Sequence, residues 1–382
     1  MDALTTPSNW QRVRLGDVAK IIGGGTPGTQ ITSFWNGSIN WFTPTEIGIT
    51  KYVYKSQRTI TPLGLKKSSA KLLPIGTILL TSRASIGDCA ILKVVATTNQ
   101  GFQSLIPLEK INNEFLYYLI LTLKNKLLEL ASGSTFLEVS PNKIKNLLIP
   151  LPPLNEQIAI ANILSDLDHY LCSLDALILK KESVKKALSF ELLSQRKRLK
   201  GFNQAWQRVR LGDILSYEQP TKYLVATTQY LQKGFTPILT AGKTFILGYT
   251  NDKHGIYTNI PVIIFDDFTT DSKMVNFPFK VKSSAIKILS LRDNNQADLK
   301  YIYEKLTLLK HQVTDHKRYW IDEFSNFEIP LPPLNEQIAI ANILSGLDNE
   351  IISLKNKKRQ FENIKKALNH DLMSAKIKVL NK

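Results

Sequence analysis

Residues 149–165 read IPLPPLNEQIAIANILS, and residues 329–345 repeat the same 17 letters at an offset of 180. A second pair precedes each copy, because WQRVRLGD stands at residues 10–17 and again at residues 206–213, an offset of 196. The variable segment between marker and hinge is therefore 16 residues shorter in the second half. This period is far longer than the roughly 20–50 residues of solenoid repeats. The sequence predicts two homologous half-molecules related by an internal pseudo-two-fold repeat.

A long helix is predicted after each hinge. Pro152 and Pro153 favour extended backbone, so we expect Asn155 to cap the first helix and Gly201 to end it. At about 1.5 Å per residue, each helix is about 60 Å long. Two such helices are expected to pack on each other, and an antiparallel pair carries the variable segments to opposite ends. Apolar residues recur every three or four positions over at least four heptads, which predicts a coiled coil: Ile160, Leu164, Leu167, Leu171, Leu174, Ile178, Val184, Leu188 and Leu192, then Ile340, Leu344, Leu347, Ile351, Leu354, Phe361, Ile364, Leu368 and Leu372.

The composition indicates a folded protein of two or three domains. The chain has 382 residues, 43% of them hydrophobic, with 17 Pro and 19 Gly. No apolar run approaches the roughly 18 residues of a membrane helix, and no apolar leader region stands at the N-terminus. Cys89 and Cys172 fall in different predicted domains, so we expect a reducing cytoplasm rather than a disulfide framework. We therefore expect a cytoplasmic protein with no membrane partner.

The net charge of +17 is concentrated at the two helix ends. Residues 180–200 hold eight Lys and Arg against two acidic residues, and residues 355–382 hold nine against two, whereas residues 201–354 are neutral overall. One interpretation is a stripe that faces a polyanion such as DNA. The other is an ordinary solvated helix face, whose cations suit the C-terminal end of the helix dipole.

Between the repeated elements the sequence predicts α+β domains. Residues 15–148 and 214–327 read as short strands split by turns that contain Gly or Pro. One helix is predicted at residues 114–130 and another at residues 299–309. We expect an α+β fold, with two globular domains of mixed β-sheet joined by two long antiparallel helices in a coiled coil. The frame is shared between the halves, while the domains that it carries differ.

Two phosphate-binding signatures almost appear. Gly23, Gly25 and Gly28 fit G-x-G-x-x-G, but the TQITSFWNGS that follows does not read as the amphipathic helix of a dinucleotide site. Residues 241–244 resemble the end of a Walker A loop, yet Pro237 occupies the position of its upstream glycine. Ordinary glycine-rich turns account for both stretches better, so we expect no cofactor.

A metal-dependent nuclease is the other enzyme that the sequence suggests. Asp266, Asp267 and Asp271 are acidic, but a gap of four residues is short for carboxylates that converge on one ion. The five His are scattered, and neither Cys has a metal-ligand spacing. A polar loop after a buried strand is the plainer interpretation. We expect no metal site and no catalytic residue.

Polar and aromatic side chains in the predicted turns suit DNA recognition. Arg, Asn and Gln can bond base edges, while Lys, Ser and Thr commonly reach phosphates. Each such residue taken alone can also be an ordinary turn residue. The candidates in the first domain are Trp35, Asn36, Trp41, Thr43, Thr45, Glu46, Lys66, Lys67, Ser82, Arg83, Ser85, Gln100, Phe102 and Gln103. Those in the second domain are Lys222, Tyr223, Lys243, Thr244, Asp267, Phe268, Thr269, Thr270 and Lys273.

Taken together, these motifs resemble the specificity subunits of type I restriction–modification systems over nearly the whole chain. The resemblance rests on the doubled PLPPLNEQ hinge and the doubled W-x-x-V-x-L-G-D marker. GGGTPGT, WFTPTEIG and TNQGFQSLIP are similar to one class of target recognition domain, and PVIIFDDFTTDSK with NFPFKVKSSA to another. The central helix lacks the short tandem repeat that varies spacer length in some members.

The resemblance implies a division of labour along the chain. Residues 1–148 and 202–328 are expected to be target recognition domains, and residues 149–201 and 329–382 to be conserved hinge and helix regions. Each recognition domain is expected to read one half of a bipartite, asymmetric double-stranded DNA target. The helices are expected to set the spacer and to dock modification (methyltransferase) subunits, which act with restriction (motor-nuclease) subunits. The main rival is a coiled-coil scaffold with protein-binding heads, and a standalone nuclease is the third alternative.

Overall fold

The computed structural model describes residues 9–133, 137–226, 228–240, 244–309 and 319–379. Its contacts divide the chain into two compact units, residues 1–175 with 356–382 and residues 176–355. Each unit therefore holds one variable segment with parts of both long helices. Over the described ranges, none of the helices is both long and apolar enough to cross a membrane. The division into residues 1–148, 149–201, 202–328 and 329–382 concerns function, and it stays a prediction.

The first unit combines short strands with short helices, as the sequence predicted. Its strands are β1 (Gln11–Arg14), β2 (Ala19–Gly23), β3 (Trp35–Phe42), β4 (Tyr52–Val53), β5 (Arg58–Ile60), β6 (Ile78–Leu80), β7 (Cys89–Leu92), β8 (Ala96–Thr98), β9 (Gln103–Pro107) and β10 (Leu148–Leu151). Its short helices are α1 (Leu15–Val18), α2 (Pro62–Lys66), α3 (Asn113–Thr122), α4 (Lys124–Leu130) and α5 (Pro141–Lys145). The helix predicted at 114–130 is thus two helices, α3 and α4.

Among the described residues of this unit, two mixed sheets hold the variable segment. One has the order β2-β9-β6-β7-β4 and the other the order β5-β3-β8. The pairs β4 with β7 and β3 with β8 are parallel, and the other pairs are antiparallel. The core of the unit includes Ile78, Ile91 and Leu105 from the first sheet and Phe115 from α3.

The second unit has a similar arrangement of strands and short helices. Its strands are β11 (Gln207–Arg210), β12 (Leu215–Glu218), β13 (Thr236–Leu239), β14 (Ile246–Thr250), β15 (Val262–Asp266), β16 (Ser272–Val275), β17 (Lys280–Val281), β18 (Ile286–Leu291) and β19 (Glu328–Leu331). Its short helices are α7 (Leu211–Ile214), α8 (Leu299–Leu308) and α9 (Tyr319–Asp322). Within the described part of this unit, the sheets have the orders β12-β18-β15-β16 and β14-β13-β17. β13 and β17 are parallel, so this half also has a mixed sheet.

The two repeated sequence elements pair with each other in both units. The marker strand β1 is antiparallel to the hinge strand β10, with Gln11 opposite Leu151. β11 and β19 pair in the same register, with Gln207 opposite Leu331. The marker and the hinge therefore recur together because they form one two-stranded sheet at the base of each variable segment.

The long helices are α6 (Leu154–Leu193) and α10 (Leu334–Met373), each of 40 residues. Within the first unit, Asp168 pairs with Lys365, and Asp175 lies 2.7 Å from Lys358. Within the second unit, Lys181 lies 2.7 Å from Glu350, and Lys185 lies 2.6 Å from Asp348. As the number rises along α6 it falls along α10, which confirms the predicted antiparallel pairing inside each unit.

Some helix details differ from the sequence-based predictions. α6 begins at Leu154, and the amide of Gln157 donates to Pro153 O, so Asn155 lies inside the helix rather than at its cap. α6 ends at Leu193 and not at Gly201, because Gln195 adopts the left-handed conformation with φ of 64°. Val184 and Ile364 are 45% and 50% exposed. These two predicted seam residues lie off the seam because the apolar stripe drifts around a straight helix.

A buried glutamine ties each hinge helix to its domain. Gln157 Oε1 accepts the amide of Asn112, the residue that caps α3, and its Nε2 donates to Lys110 O and Pro152 O. Gln337 makes the corresponding bonds to Asp298, Gln296 and Pro332, and Asp298 caps α8. The shared letters of the hinge therefore encode the same attachment of a domain helix in both units.

Candidate nucleic-acid interface

Several loops of the first unit meet along one edge of its sheets. The amide of Gly25 donates to Thr98 O over 2.8 Å, and the amide of Asn99 donates to Phe42 O over 3.1 Å. The amide of Ser82 donates to Gly101 O over 2.8 Å. These bonds bring together the loops that follow β2, β3, β6 and β8. The predicted candidates of residues 43–46, 82–85 and 100–103 therefore lie close together.

The exposed candidates of this edge can reach a ligand. Thr45 and Gln100 are exposed here, and Thr43, Arg83 and Ser85 are half-buried, whereas Asn36 is exposed at the other end of β3. Arg83 lies 2.8 Å from Glu138. Glu46 bonds inward, because its carboxylate accepts the amide and the hydroxyl of Thr43 and the amide of Gln57. Glu46 therefore shapes the loop that presents Thr43 and Thr45.

The structure places the other polar and aromatic candidates of these loops in the interior. Trp41 Nε1 donates to Gly25 O over 2.9 Å, and Trp35 Nε1 donates to Gly28 O over 3.2 Å. Both indole rings therefore bind the backbone of the glycine-rich loop from the interior of the unit. The buried side chains here are those of Trp35, Trp41, Ser82, Phe102 and Gln103. Their types predicted contact with bases, and their burial instead gives them a supporting role.

A cation that the sequence analysis did not select lies beside the indole pair. The guanidinium carbon of Arg58 is 3.8 Å from the centre of the Trp35 ring, and Arg58 is exposed. Lys66 ends α2, Lys67 follows it, and both are exposed. No local motif marks Arg58, because its partner stands 23 positions earlier in the chain.

In the second unit, the turn between β15 and β16 carries exposed candidates. Asp266 Oδ1 accepts the amides of Phe268 and Thr269 over 2.8 and 3.1 Å, and Thr270 has a left-handed φ of 59°. This turn exposes Phe268 and Thr269, whereas Lys273 on β16 is half-buried. The turn therefore projects an aromatic ring beside a hydroxyl group.

Asp267 points the other way, into the unit. Its Oδ2 lies 3.0 Å from Lys287 Nζ, and its Oδ1 accepts the amide of Trp320 over 2.8 Å. Lys287 Nζ also donates to Gln219 Oε1 over 3.3 Å. A single buried lysine thus connects the 266–270 turn with Gln219, close to Lys222. Sequence reasoning missed Lys287 because its neighbours Ile286 and Ile288 make it read as part of an apolar strand.

The remaining candidates of the second unit lie near Gln219 or on the β13–β14 turn. Lys222 and Tyr223 belong to the 3-10 helix Pro220–Tyr223, and Lys222 is exposed. Burial and the hydrogen bond to Glu218 raise the pKa of Tyr223 to about 12, so its hydroxyl stays protonated at neutral pH. Thr244 is exposed, and Lys243 lies outside the described residues.

Comparison with known proteins gives the class to which this architecture belongs. Residues 7–181 and 203–363 match the family described as the type I restriction modification DNA specificity domain. The chain belongs to this family. The two matched regions contain the two variable segments with most of both long helices. This result confirms the predicted resemblance.

Several similar proteins are specificity subunits of type I restriction enzymes, and they match different shares of this chain. The chain is 48% identical over 166 residues to the EcoR124I/EcoR124II specificity subunit of Escherichia coli, which is 42% of this chain and 39% of that protein. It is 34% identical over 232 residues to the MjaIX specificity subunit of Methanocaldococcus jannaschii, 56% of this chain and 53% of that protein. The chain thus spans about half the length of these relatives or less. Against the MjaX specificity subunit of the same organism, it is 27% identical over 98% of this chain and 95% of that one.

Solved structures share the fold over the full length. The S subunit of a type I restriction–modification system from M. genitalium superposes with a TM-score of 0.62 at 19% identity, over 97% of both chains. The HsdS subunit from Thermoanaerobacter tengcongensis gives a TM-score of 0.53 at 18% identity, over 98% of this chain and 99% of that one. At this identity the likeness concerns the fold alone. It confirms the predicted α+β class with two long helices.

Two of the near-matches to enzyme motifs make structural contacts, and residues 241–243 of the Walker-like stretch lie outside the described residues. A Cβ on Gly24 would lie 1.8 Å from Asn99 O, so the glycine-rich loop permits close contact between backbones, and a 3-10 turn follows at Thr32–Phe34. Asp267 is engaged by Lys287, away from Asp271. Across the part of the chain that the structure describes, no cluster of three His, Cys, Asp or Glu side chains could hold a metal ion.

Proposed function

We propose that this chain is the DNA sequence-specificity subunit of a type I restriction–modification system. Residues 1–148 and 202–328 each bind one half of a bipartite, asymmetric double-stranded DNA target. The proposal rests on a contrast between the two halves: the marker, the hinge and the long helix are repeated, whereas the domains that they carry differ in sequence. The marker and hinge pair in the same register in both units, and the sheets above them share one strand order apart from the extra edge strand β4 of the first unit, while their sequences differ. Different heads on one frame suit two different half-sites.

Exposed side chains in each unit supply the DNA contacts. In the first domain these are Asn36, Thr45, Gln100, Arg58, Lys66 and Lys67, and in the second they are Lys222, Thr244, Phe268 and Thr269. Asn, Gln and Arg can discriminate base edges, whereas lysines and hydroxyls hold phosphates. The buried indoles and Lys287 keep the loops in a fixed shape. Neutral charge over residues 201–354 implies that partner subunits share the phosphate contacts.

The hinge and helix regions, residues 149–201 and 329–382, set the spacing and dock two modification subunits. The docking proposal is supported by two corresponding surface pockets, of about 800 Å³ in the first unit and about 530 Å³ in the second. Positions at an offset of 180 line both: Glu362 and Glu182, Lys365 and Lys185, Lys366 and Lys186, Asn369 and Ser189, Leu171 and Ile351. Equivalent pockets suit two copies of one partner.

The basic helix ends serve partly to hold the helices together. Lys181, Lys185, Lys358 and Lys365 pair with carboxylates of the facing helix, whereas Lys186, Lys200, Lys357, Arg359 and Lys366 are exposed. We assign the exposed group to the docking surface and to phosphates near it. The chain acts in the cytoplasm as a non-catalytic subunit, and modification and restriction subunits carry out the chemistry on DNA. A scaffold with protein-binding heads is the rival, and family membership gives it no support.

Selection from a random duplex library tests the proposal. The chain is assembled with its modification subunit, and bound duplexes are sequenced. We expect enrichment of two short, different half-sites at a fixed separation. Affinity should also fall steeply with salt, since phosphate contacts release counterions. A stable complex that enriches no sequence would overturn the specificity role and favour the scaffold.

A further inference from the structure

Phe235 is the most exposed large apolar side chain in the described part of the second unit, at 88% of its surface. It stands directly before β13, and its neighbours Gln232, Lys233 and Gly234 are also exposed. An aromatic ring that leaves this much surface in water loses the free energy that burial would provide. Such a ring is accessible to a partner in a complex.

The loop that carries Phe235 is anchored to β14. Leu231 and Tyr249 exchange backbone hydrogen bonds of 2.9 Å in both directions, and the amide of Phe235 donates to Asn251 Oδ1 over 3.2 Å. A Cβ on Gly234 would lie 2.9 Å from Tyr249 Cβ, so glycine lets the loop lie against the strand. The ring is therefore presented outward by a fixed backbone.

The adjacent turn, residues 251–255, is fixed by a buried lysine. Lys280 Nζ lies 2.6 Å from Asp252 Oδ2 and donates to His254 O over 2.8 Å. The hydrogen bond from Lys280 holds the pKa of Asp252 below its usual range, so the carboxylate stays charged and paired. A Cβ on Gly255 would lie 2.6 Å from Lys222 O. The turn thus connects the Phe235 loop with the predicted DNA candidate Lys222.

The surface around the ring carries positive charge. Lys233, Lys253 and Lys222 are exposed. Of the carboxylates beside them, Asp252 is paired with Lys280, and Glu218 accepts the hydroxyl of Tyr223. An aromatic ring among cations fits nucleic acid, because phosphates pair with the cations while the ring contacts bases. An apolar peptide would instead have to desolvate these lysines. The charge pattern and the continuity with Lys222 both favour DNA.

We infer that Phe235 is a DNA-contacting residue of the second recognition domain. Its ring contacts base edges in a groove of the duplex, and Lys233 and Lys253 hold phosphates. Apolar contacts of this kind discriminate bases, for example through the thymine methyl group. This inference rests on the proposed function and adds a loop that is distinct from the 266–273 hairpin.

The test uses the chain assembled with its modification subunit and fluorescently labelled duplexes. One duplex carries the selected target, and the other carries a scrambled second half-site. We expect Phe235→Ala to weaken binding of the target about tenfold and binding of the scrambled duplex less than about twofold. Lys233→Gln should weaken both and lower the slope of log affinity against log salt by about one. Melting curves of the variants confirm that the fold is unchanged.

Ile75→Ala is the matched control. Ile75 is 62% exposed and precedes β6, whereas the recognition loop at Ser82 follows that strand. This variant should bind like the wild type. If Phe235→Ala binds the target like the wild type, or weakens both duplexes equally, the inference is wrong and the specificity role stands. If the wild type does not distinguish the two duplexes, the proposed function itself fails.

Discussion

Lys287 Nζ lies 3.0 Å from Asp267 Oδ2, and both side chains are 2% exposed. A charged pair this deep is maintained only when both partners are present and hydrogen-bonded. Asp267 also accepts the amide of Trp320, and Lys287 also donates to Gln219. The pair therefore fixes the position of two surface elements, the 266–270 turn and the helix that carries Lys222.

Asp267→Asn should destabilise the second unit strongly. The variant leaves Lys287 buried without a counter-charge, which costs roughly 3–5 kcal/mol. Thermal melting followed by Trp fluorescence measures the change. Asp271→Asn, on an exposed residue of the same turn, is the control and should change stability by less than about 0.5 kcal/mol. Equal melting temperatures for Asp267→Asn and the wild type would show that the pair does not fix the turn.

Gln157→Leu should loosen the first unit alone, and Gln337→Leu the second. Each substitution removes the three hydrogen bonds of a buried glutamine side chain, at a cost of about 3 kcal/mol. Hydrogen–deuterium exchange resolves the effect by peptide, and α3 or α8 should exchange faster in the respective variant. Exposed Asn162→Ala should change neither helix. Faster exchange in both units from one substitution would contradict the assignment of one clamp to each unit.

The paired pockets predict the stoichiometry of the complex. Lys366→Glu and Lys186→Glu each reverse one exposed charge in one pocket. We expect each variant to retain one modification subunit where the wild type binds two, as native mass spectrometry would show. Lys180→Glu reverses an exposed charge on α6 outside the pocket and should bind two. Two bound subunits in all three variants would place the docking surface elsewhere.

Lys305 predicts a pH dependence of stability in the second unit. Burial lowers the pKa of Lys305 to about 8, and its Nζ donates to Leu193 O over 2.6 Å. Between this pKa and the ordinary value of about 10.4, the unfolded chain binds more protons than the folded one. The contribution of Lys305 to stability therefore rises with pH from about 8 to about 10 and is lowest below pH 8.

Lys305→Met removes this titration. Relative to the wild type, the variant should gain about 3 kcal/mol more at pH 7 than at pH 10. Melting temperatures of both proteins across this range measure the difference. Comparing the two proteins cancels the titration of other groups, such as Cys89, because both proteins contain them. Burial raises the pKa of Cys89. A difference that does not change with pH would show that Lys305 titrates normally.

The frame could be predicted from the sequence because its signals are local or repeated. Identical letters at residues 149–165 and 329–345 implied two homologous halves, and the apolar period implied paired long helices. The helix ends were less accurate. Gln195 adopts a left-handed conformation for which its residue type gives no signal, so the end of α6 could not be placed.

The candidate site was predicted less well because burial depends on contacts between distant residues. Ser82 and Asp267 are polar types in predicted turns, yet both are buried by segments far away in the chain. Lys280 and Lys287 are the reverse case. Each is a charged residue of a strand, yet its side chain is buried and pairs with an aspartate of a surface turn. Phe235 gave no signal beyond its type, and only its exposure in the fold singles it out.

Mapping of methylated bases across a genome tests the central claim most directly. Cells carry this chain with its modification subunit, and in a second strain residues 18–148 are replaced by the equivalent segment of a relative. We predict a bipartite, asymmetric motif whose one half changes on replacement while the other half and the spacing persist. A motif that changes in both halves, or a stable complex whose methylation has no sequence preference, would contradict the assignment of one half-site to each domain.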